Sequence, residues 1–126
     1  MSHKRILIVD DDYRIREVTK LTLELMAEWK VLTASSGNEG LALAKAEQLD
    51  AILLDIMMPA LDGMATLKNL KANSLTQRVP VLLLTAKQQT TELQQLVELG
   101  VAGIISKPFD PLILHSTIAG TLSWLE

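Results

Sequence analysis

Three carboxylates stand at the points where short apolar segments end. Asp55 directly follows the apolar run 51–54, and Asp10 and Asp11 directly follow the run 6–9. A carboxylate at the carboxyl end of a buried strand lies where open α/β sheets place their chemistry. Carboxylates that are held close together raise one another's pKa unless a cation offsets their charge. These residues therefore predict a cation-assisted site for phosphoryl or carboxylate chemistry.

Two further polar residues follow apolar runs in the same way. Thr85 comes after the run 81–84, and Lys107 comes after 103–106. Ligands that are all oxygen atoms favour Mg²⁺ or Mn²⁺ over zinc. A lysine and a hydroxyl suit the binding of phosphoryl oxygens, and Asp55 as a nucleophile would form an aspartyl phosphate. Each residue alone is typical of a cap, a turn or the surface, but their coincidence at four strand ends favours a site.

Apolar runs alternate with amphipathic segments along the whole chain. Continuous Leu, Ile and Val runs indicate strands buried on both faces, and right-handed crossovers then give a parallel sheet with helices on both sides. The sequence thus predicts an α/β fold, a (βα)5 doubly wound five-stranded sheet of the flavodoxin-like kind. The predicted strands are 6–9, 29–34, 51–54, 81–84 and 103–106, and the predicted helices are 13–28, 37–48, 63–72, 88–99 and 111–124.

Helix ends and faces are marked by local signals. Asp12 is the expected cap of the first helix, Ser36 and Glu39 have the spacing of a capping box, and Asp110-Pro111 pairs an N-cap with proline at the first helical position. Gly100 stops the fourth helix. In the first helix, apolar and weakly polar residues recur at helical spacing and predict its core-facing stripe: Ile15, Val18, Leu21, Thr22 and Leu25.

Composition limits the class of protein. The 126 residues suit one domain, 1–126, with no output domain attached, and 48% hydrophobic residues are enough for a core. A net charge of −3 without a basic block argues against nucleic-acid binding. The absence of cysteine excludes thiolate catalysis and cysteine-ligated zinc. Without a signal peptide or a long apolar stretch, the expected location is cytoplasmic, with no membrane contact.

Taken together, these motifs resemble the receiver domains of bacterial two-component response regulators, which have the chemotaxis-regulator fold. The resemblance covers essentially the whole chain and implies the strand order 2-1-3-4-5, with the site at the switch point. It is carried by several short segments: Ile6-Leu7-Ile8-Val9-Asp10-Asp11, Leu53-Leu54-Asp55-Ile56-Met57-Met58-Pro59, Asp62-Gly63, Leu84-Thr85-Ala86, Gly100-Val101-Ala102-Gly103 and Lys107-Pro108-Phe109.

The resemblance implies a role for each site residue. Asp55 would accept a phosphoryl group from a sensor histidine kinase or a histidine phosphotransfer protein. Asp11, Asp55 and the backbone carbonyl of Met57 would ligate Mg²⁺ (or Mn²⁺), and Asp10 would help through a water. Thr85 would bond the phosphoryl group and Lys107 would pair with it. The peptide bond between Lys107 and Pro108 would be cis, as only bonds to proline commonly are.

The implied protein is a signalling domain and not an enzyme in the usual sense. Only self-phosphorylation from small donors and autodephosphorylation are expected of it. Phosphorylation would switch its binding to an unknown downstream protein target through the surface formed by helix 4, strand 5 and helix 5. The chain would be a monomer or a phosphorylation-dependent dimer. The phosphoryl donor is expected to dock at the start of the first helix. Tyr13 and Arg14 would contact the donor, whereas Ile15 and Val18 would lie in the core.

One position departs from the family pattern. Many receivers carry Tyr or Phe three residues before the lysine, whereas this chain has Ile104, which has no ring to move. Ile104 is then either an ordinary edge-strand residue or part of an apolar partner surface, and a receiver-fold scaffold without the standard switch stays an alternative. An Asp-nucleophile phosphatase is a further alternative, but it would need a second Asp where Met57 stands. A flavin-binding module is disfavoured because Asp10, Asp11 and Asp12 would repel a phosphate.

Overall fold

A five-stranded parallel sheet forms the centre of the computed structural model, which describes residues 3–56, 63–85 and 98–124. The order β2-β1-β3-β4-β5 confirms the predicted doubly wound fold. No described helix is long and apolar enough to cross a membrane. The elements are β1 (Arg5–Val9), α1 (Tyr13–Ala27), β2 (Lys30–Ala34), α2 (Gly37–Ala46), β3 (Ala51–Asp55), α3 (Gly63–Ala72), β4 (Val81–Thr85), β5 (Gly103–Ser106) and α4 (Leu114–Thr121).

The three central strands are buried on both faces, as their continuous apolar sequences predicted. Alternate residues of each strand point to opposite faces of the sheet, so a run such as 51–54 contributes to both sides. Ile8 and Leu53 pack with Leu23 of α1 and Ile118 of α4 on one face. Leu7, Leu54 and Leu83 pack with Ala44 of α2 and with Leu67 and Leu70 of α3 on the other face. Full burial of such a side chain contributes about 1.5–3 kcal/mol.

The buried face of α1 differs from the prediction. Thr19 and Leu23 are buried, and Ile15 packs partly buried against the same cluster, so the core contact follows i, i+4, i+8 spacing. The predicted assignment of Val18, Leu21 and Leu25 to the core is wrong, because all three are exposed. The helix begins at the cap Asp12, as predicted, and Glu28 ends it in the left-handed conformation with φ 58°.

The capping box of α2 is formed with one change. The hydroxyl of Ser36 accepts a hydrogen bond from the Glu39 amide at 3.2 Å, as predicted. The Glu39 carboxylate reaches back to the amide of Ser35 at 2.7 Å. In a standard capping box this return bond goes to the cap residue itself. The acidic side chain still satisfies an amide beside the helix start, and α2 begins where the sequence predicted.

The last helix begins later than predicted. Asp110 does accept a hydrogen bond from a backbone amide, that of Leu112, at 2.9 Å. Its carbonyl also accepts one from the Ile113 amide at 3.2 Å, so residues 110–113 form a tight turn. The regular helix α4 then runs from Leu114 to Thr121 with Ile113 as its cap. Asp110-Pro111 therefore begins a turn ahead of the helix and does not cap the helix itself.

Most of the fourth predicted helix lies outside the described residues. The prediction covered 88–99, and the structure describes the chain again from residue 98 onward. Gly100 has φ +85°, a left-handed conformation that suits a residue just past a helix end. The predicted stop at Gly100 is thus consistent with its backbone geometry.

Candidate functional site

Three carboxylates converge at the carboxyl edge of the sheet. Asp10 and Asp11 follow β1 and Asp55 ends β3, and one oxygen from each lies within 4.8 Å of the others. Asp10 and Asp55 are 0% and 3% exposed, whereas Asp11 is open to solvent. An all-oxygen donor set with one open side fits a hard divalent cation that keeps part of its water shell, such as Mg²⁺ or Mn²⁺.

Lys107 bridges the two buried members of this cluster. Its Nζ lies 2.8 Å from Oδ2 of Asp10 and 3.0 Å from Oδ2 of Asp55. Burial lowers the pKa of Lys107, but the hydrogen bonds and charges of both carboxylates outweigh it, so the pKa is raised from its ordinary value. The lysine is therefore a fixed positive charge between the two carboxylates.

The surroundings of Asp10 disfavour its ionised form. Burial raises the pKa of Asp10 above its ordinary value, and the negative charge of Asp55 acts in the same direction. Hydrogen bonds from Lys107 and from the Asp12 amide oppose the rise but do not cancel it. Lys107 is one charge facing two buried carboxylates, with Asp11 beside them. The local charge balance is negative, which is the condition that favours binding of a second cation.

The backbone of Asp10 is held on several sides. Its amide donates to the carbonyl of Ala34 at 3.1 Å, which continues the β1–β2 ladder past the strand end. Its Oδ1 accepts from the Asp12 amide at 2.9 Å, and its carbonyl accepts from Nη1 of Arg16 at 2.8 Å. Sequence reasoning missed Arg16, because an arginine in the first turn of a helix carries no signal that it will reach back to a strand end.

Thr85 and Lys107 lie next to each other at the carboxyl ends of β4 and β5, Thr85 as the last residue of β4 and Lys107 just past β5. Thr85 ends β4, is 3% exposed, and its carbonyl accepts a hydrogen bond from the Lys107 amide at 2.7 Å. The Lys107–Pro108 peptide bond is cis, as the resemblance implied. Ile104 pairs with Leu83 in the β4–β5 ladder and packs, partly buried, against the apolar cluster on that face of the sheet.

Gly63 allows α3 to start directly behind the acidic site. A Cβ at this position would lie 2.2 Å from the Cα of Ile56 and 2.6 Å from the carbonyl oxygen of Asp55. Both neighbours are backbone atoms, so they could not move aside as a flexible side chain would. Glycine is therefore required by the close approach of the helix start to the end of β3.

An apolar groove runs from Lys107 along the side of α1. Its volume is about 550 Å³. Val18 lines the groove, and the exposed side chains of Leu21 and Leu25 continue the apolar surface along the same face of the helix. The i, i+3, i+7 spacing of these three residues, which predicts a core stripe, here marks an exposed one. The groove is lined by Arg14, Ile15, Val18, Thr19, Lys107, Pro108, Phe109 and Pro111.

Most of the predicted site residues lie close together in the structure. Asp10, Asp55 and Lys107 are in direct contact, Asp11 completes the carboxylate cluster, and Thr85 lies one strand away with its carbonyl bonded to Lys107. The predicted metal ligand Met57 lies outside the described residues, as do Asp62 and Ala86 of the quoted motifs.

The sequence matches a family model described as the response regulator receiver domain over residues 6–119. Among curated proteins, a similar one is the alkaline phosphatase synthesis transcriptional regulatory protein PhoP of Bacillus subtilis, which is 37% identical over 120 residues. That alignment covers 95% of this chain and 49% of PhoP. The chain thus spans about half the length of this relative.

Solved structures with the same architecture include the chemotaxis protein CheY4 of Vibrio cholerae. It is 32% identical, with a TM-score of 0.88, and the match covers 95% of this chain and 99% of that one. The receiver domain of the sensor histidine kinase PA1611 from Pseudomonas aeruginosa matches with a TM-score of 0.84 at 24% identity, covering 97% and 99% of the two chains. In that protein a magnesium ion is coordinated in the active site cleft.

Proposed function

This chain belongs to the response regulator receiver domain family, and on that premise we propose that Asp55 is its phosphoryl acceptor. Receiver domains of two-component response regulators are signalling domains and not enzymes in the usual sense. The observation that supports Asp55 most strongly is its position: a nearly buried carboxylate, 3.0 Å from Lys107 and within 4.8 Å of two more carboxylates. A nucleophile, a fixed cation and an oxygen-rich cation site meet there.

Asp10, Asp11 and Asp55 would hold Mg²⁺, with the Met57 carbonyl as the further ligand that the family pattern supplies. The oxygen-only donors and the open side at Asp11 support this assignment. When bound, the ion would offset the charge on the phosphoryl oxygens during transfer. The Asp10 carboxylate is already bonded to Lys107 and to the Asp12 amide. Asp10 therefore suits contact with the ion through a water molecule, whereas Asp11 suits direct contact.

The proposed transfer is a single displacement at phosphorus. An Asp55 oxygen attacks the phosphorus of a phosphohistidine on the donor protein, and an O–P bond forms as the P–N bond breaks. The electron pair of the P–N bond goes to the imidazole nitrogen of the donor. Lys107 is already charged beside Asp55 and can pair with the phosphoryl oxygens without a proton transfer. Small donors such as acetyl phosphate would react in the same way, with acetate leaving.

Hydrolysis of the aspartyl phosphate would return Asp55 to its unphosphorylated form. A water molecule attacks the phosphorus, the O–P bond breaks, and inorganic phosphate leaves while the Asp55 carboxylate is restored. Asp55 and Thr85 are each 3% exposed, so the surrounding residues restrict the approach of that water. This autodephosphorylation, together with self-phosphorylation from small donors, is the only turnover that we assign to the domain.

Phosphorylation would act as the switch through charge. An aspartyl phosphate carries roughly −1.5 to −2 charge in place of the single negative charge of the carboxylate, in a nearly buried position. The Lys107 ammonium would move from Asp10 toward the new oxygens, and the Thr85 hydroxyl, one strand away, would bond them. These contacts exist only in the phosphorylated state, so they supply the differential free energy that a two-state switch needs.

The donor protein would dock on the apolar groove beside α1. Lys107 lines the groove, so a protein seated in it would bring its phosphohistidine close to the site. Leu21 and Leu25 are 59% and 71% exposed on the continuation of this surface. Contiguous exposed apolar side chains on a helix are typical of surfaces that bind another protein. A sensor histidine kinase or a histidine phosphotransfer protein is the donor that the family implies.

The surface that binds the downstream target would lie on the face of the sheet that contains the side chain of Ile104. Its side chain is partly buried against the Leu83 side of the sheet, so a change at Thr85 would reach it through β4 and β5. The downstream target is a protein, and the domain would act as a monomer or as a phosphorylation-dependent dimer.

We further propose that residues 1–126 form a single receiver domain that works in the cytoplasm.

The direct experiment is phosphorylation by a small donor. Wild-type protein is incubated with acetyl phosphate and Mg²⁺, and its intact mass is compared with that of Asp55→Asn. We expect one phosphoryl group on the wild type and none on the variant, and removal of Mg²⁺ by a chelator should prevent labelling. Equal labelling of Asp55→Asn would refute the assignment.

A further inference from the structure

Arg16 joins the first helix to the acidic site. Its guanidinium Nη1 donates a hydrogen bond to the carbonyl oxygen of Asp10 at 2.8 Å. We propose that Arg16 is a positioning residue that sets the direction of the Asp11 carboxylate toward the metal. This inference rests on the proposed function, because it assumes that Asp10 and Asp11 hold Mg²⁺.

The bonded carbonyl belongs to the peptide that joins Asp10 to Asp11. A peptide unit is planar, so holding its oxygen restrains the whole plane up to the Cα of Asp11 and narrows the directions in which the Asp11 side chain can leave the backbone. Asp12 is held on the other side, because its amide donates to Oδ1 of Asp10 at 2.9 Å and its side chain caps α1. The exposed ligand Asp11 therefore sits between two constrained neighbours, and Arg16 supplies one of the constraints.

The Arg16 side chain is itself constrained. It is half-buried, and its guanidinium carbon lies 5.6 Å from the centre of the Tyr13 ring. A cation over an aromatic face is attracted to it, so Tyr13 limits the positions that the guanidinium can take. A planar guanidinium can stack on the ring and donate to the carbonyl at once, whereas a lysine ammonium would provide only a point charge.

Positioning and simple electrostatics predict opposite effects on metal binding. The positive charge of Arg16 lies at the backbone carbonyl of Asp10 and would repel a cation bound by the carboxylates that follow, so loss of the charge alone would tighten Mg²⁺ binding. Loss of the hydrogen bond would release the peptide between Asp10 and Asp11 and weaken binding. Residues that orient metal ligands without touching the ion typically change metal affinity by about 10–100-fold when they are replaced.

The test is Mg²⁺ titration by isothermal calorimetry on four proteins. They are the wild type, Arg16→Gln, Arg16→Lys and the control Arg78→Gln, which removes the same charge from an exposed side chain shortly before β4, at the opposite edge of the sheet. We expect Arg16→Gln to raise the Mg²⁺ Kd by about tenfold. The Kd of Arg16→Lys should fall between that of Arg16→Gln and that of the wild type, and Arg78→Gln should stay within about twofold of the wild type or bind slightly more tightly.

The outcomes separate this inference from the proposed function. Mg²⁺ binding by Arg16→Gln as tight as that by Arg78→Gln, or tighter, would overturn the positioning role while leaving the site assignment intact. A wild type that binds no Mg²⁺ at millimolar concentration would instead refute the proposed metal site itself. Thermal unfolding without Mg²⁺ checks that each variant is folded. If Arg16→Gln does not fold, Arg16→Lys decides the matter, with a Kd equal to that of the wild type overturning the inference.

Discussion

Lys107 and Asp55 are 52 residues apart in sequence, and their side chains form a salt bridge of 3.0 Å at the carboxyl edge of the sheet. The same ammonium bonds Asp10 at 2.8 Å, so one cation serves two nearly buried carboxylates. The proposed acceptor Asp55 is thus paired in advance with the cation that would bind the oxygens of its phosphoryl group. This pairing has consequences for stability as well as for function.

Removal of the lysine should destabilise the fold. Lys107→Met leaves Asp10 and Asp55 buried without their cation, and breaking a buried pair costs about 3 kcal/mol or somewhat less where one partner reaches solvent. Thermal unfolding can be followed by the fluorescence of Trp29 and Trp124, which pack together with ring centres 5.3 Å apart. Mg²⁺ should restore part of the loss, because it would offset the same carboxylates.

Lys20→Met is the matched control for that experiment. Lys20 pairs with Glu24 at 3.7 Å, and both side chains are partly exposed to solvent. An exposed pair within one helix contributes only about 0.3–0.5 kcal/mol. If the two lysine variants lost equal stability, the bridge that Lys107 forms between Asp10 and Asp55 would contribute no more than an exposed ion pair.

Asp10→Asn should stabilise the protein at neutral pH when no Mg²⁺ is present. Burial raises the pKa of Asp10 above 3.8, so the ionised form costs more in the folded state than in the unfolded chain. Below that pH the group is protonated in both states and the variant should match the wild type. The stability gained by Asn should then grow as the pH rises through the raised pKa and stay constant above it.

The measurement is chemical denaturation of the two proteins at a series of pH values, with chelator present. Added Mg²⁺ should reverse the order, because the wild type keeps the full set of carboxylates. A constant difference between Asp10→Asn and wild type from acid to neutral pH would contradict the assigned cost of this charge.

Gly63→Ala should disturb both the fold and the site. The new Cβ would meet backbone atoms of Ile56 and Asp55 at 2.2 and 2.6 Å, so the start of α3 must move away from the end of β3. Overpacking of this kind typically costs about 1–3 kcal/mol or more. Phosphorylation from acetyl phosphate should slow as well, since the carbonyl involved is that of Asp55.

Gly120→Ala provides the comparison for that variant. Gly120 lies in α4, and a Cβ there meets nothing within 4 Å. Alanine in a helix is favoured over glycine by about 0.8–1.0 kcal/mol, so this change should stabilise the protein. Denaturant unfolding of both variants shows whether each change raises or lowers the free energy of unfolding. Loss of stability in both would show that the contacts at Gly63 do not cause the loss in Gly63→Ala.

Leu21→Ser should impair transfer from a donor protein and spare the chemistry. Leu21 is 59% exposed, so its replacement should change stability by less than about 0.5 kcal/mol. We expect slower labelling by a phosphorylated histidine phosphotransfer domain that labels the wild type, with an unchanged rate from acetyl phosphate. Leu75→Ser is the control, since Leu75 is 68% exposed and lies outside the groove and α1. Equal effects of the two changes on protein-mediated transfer would argue against docking along α1.

Much of the fold follows from the sequence because its signals are local. Strands 51–54 and 81–84 are continuous aliphatic runs, and Asp12 and Ser36 cap helices through side chains that reach only two or three residues ahead. The beginning of α4 could not be placed, because Asp110 can cap either a tight turn or a helix with the same bond to a nearby amide. That choice depends on how Leu114 and Ile118 reach the core.

The convergence of the site was also predictable, whereas its bonding was not. Parallel strands place all their carboxyl ends at one edge, so Asp10, Asp55 and Lys107 had to come near each other. Whether Lys107 would bond one carboxylate or both depends on distances that only the folded backbone sets. The outward turn of Val18, Leu21 and Leu25 was missed because periodicity gives the spacing of a stripe and not the direction that it faces.

The central claim is that Asp55 carries the phosphoryl group, and trapping the acyl phosphate tests it most directly. Protein phosphorylated with acetyl phosphate and Mg²⁺ is reduced with borohydride, which converts an aspartyl phosphate to homoserine, and its peptides are sequenced by mass spectrometry. We predict homoserine at position 55 in the wild type and at no position when Mg²⁺ is removed. Homoserine at another aspartate, or none after a phosphoryl group has been detected on the intact protein, would contradict the assignment.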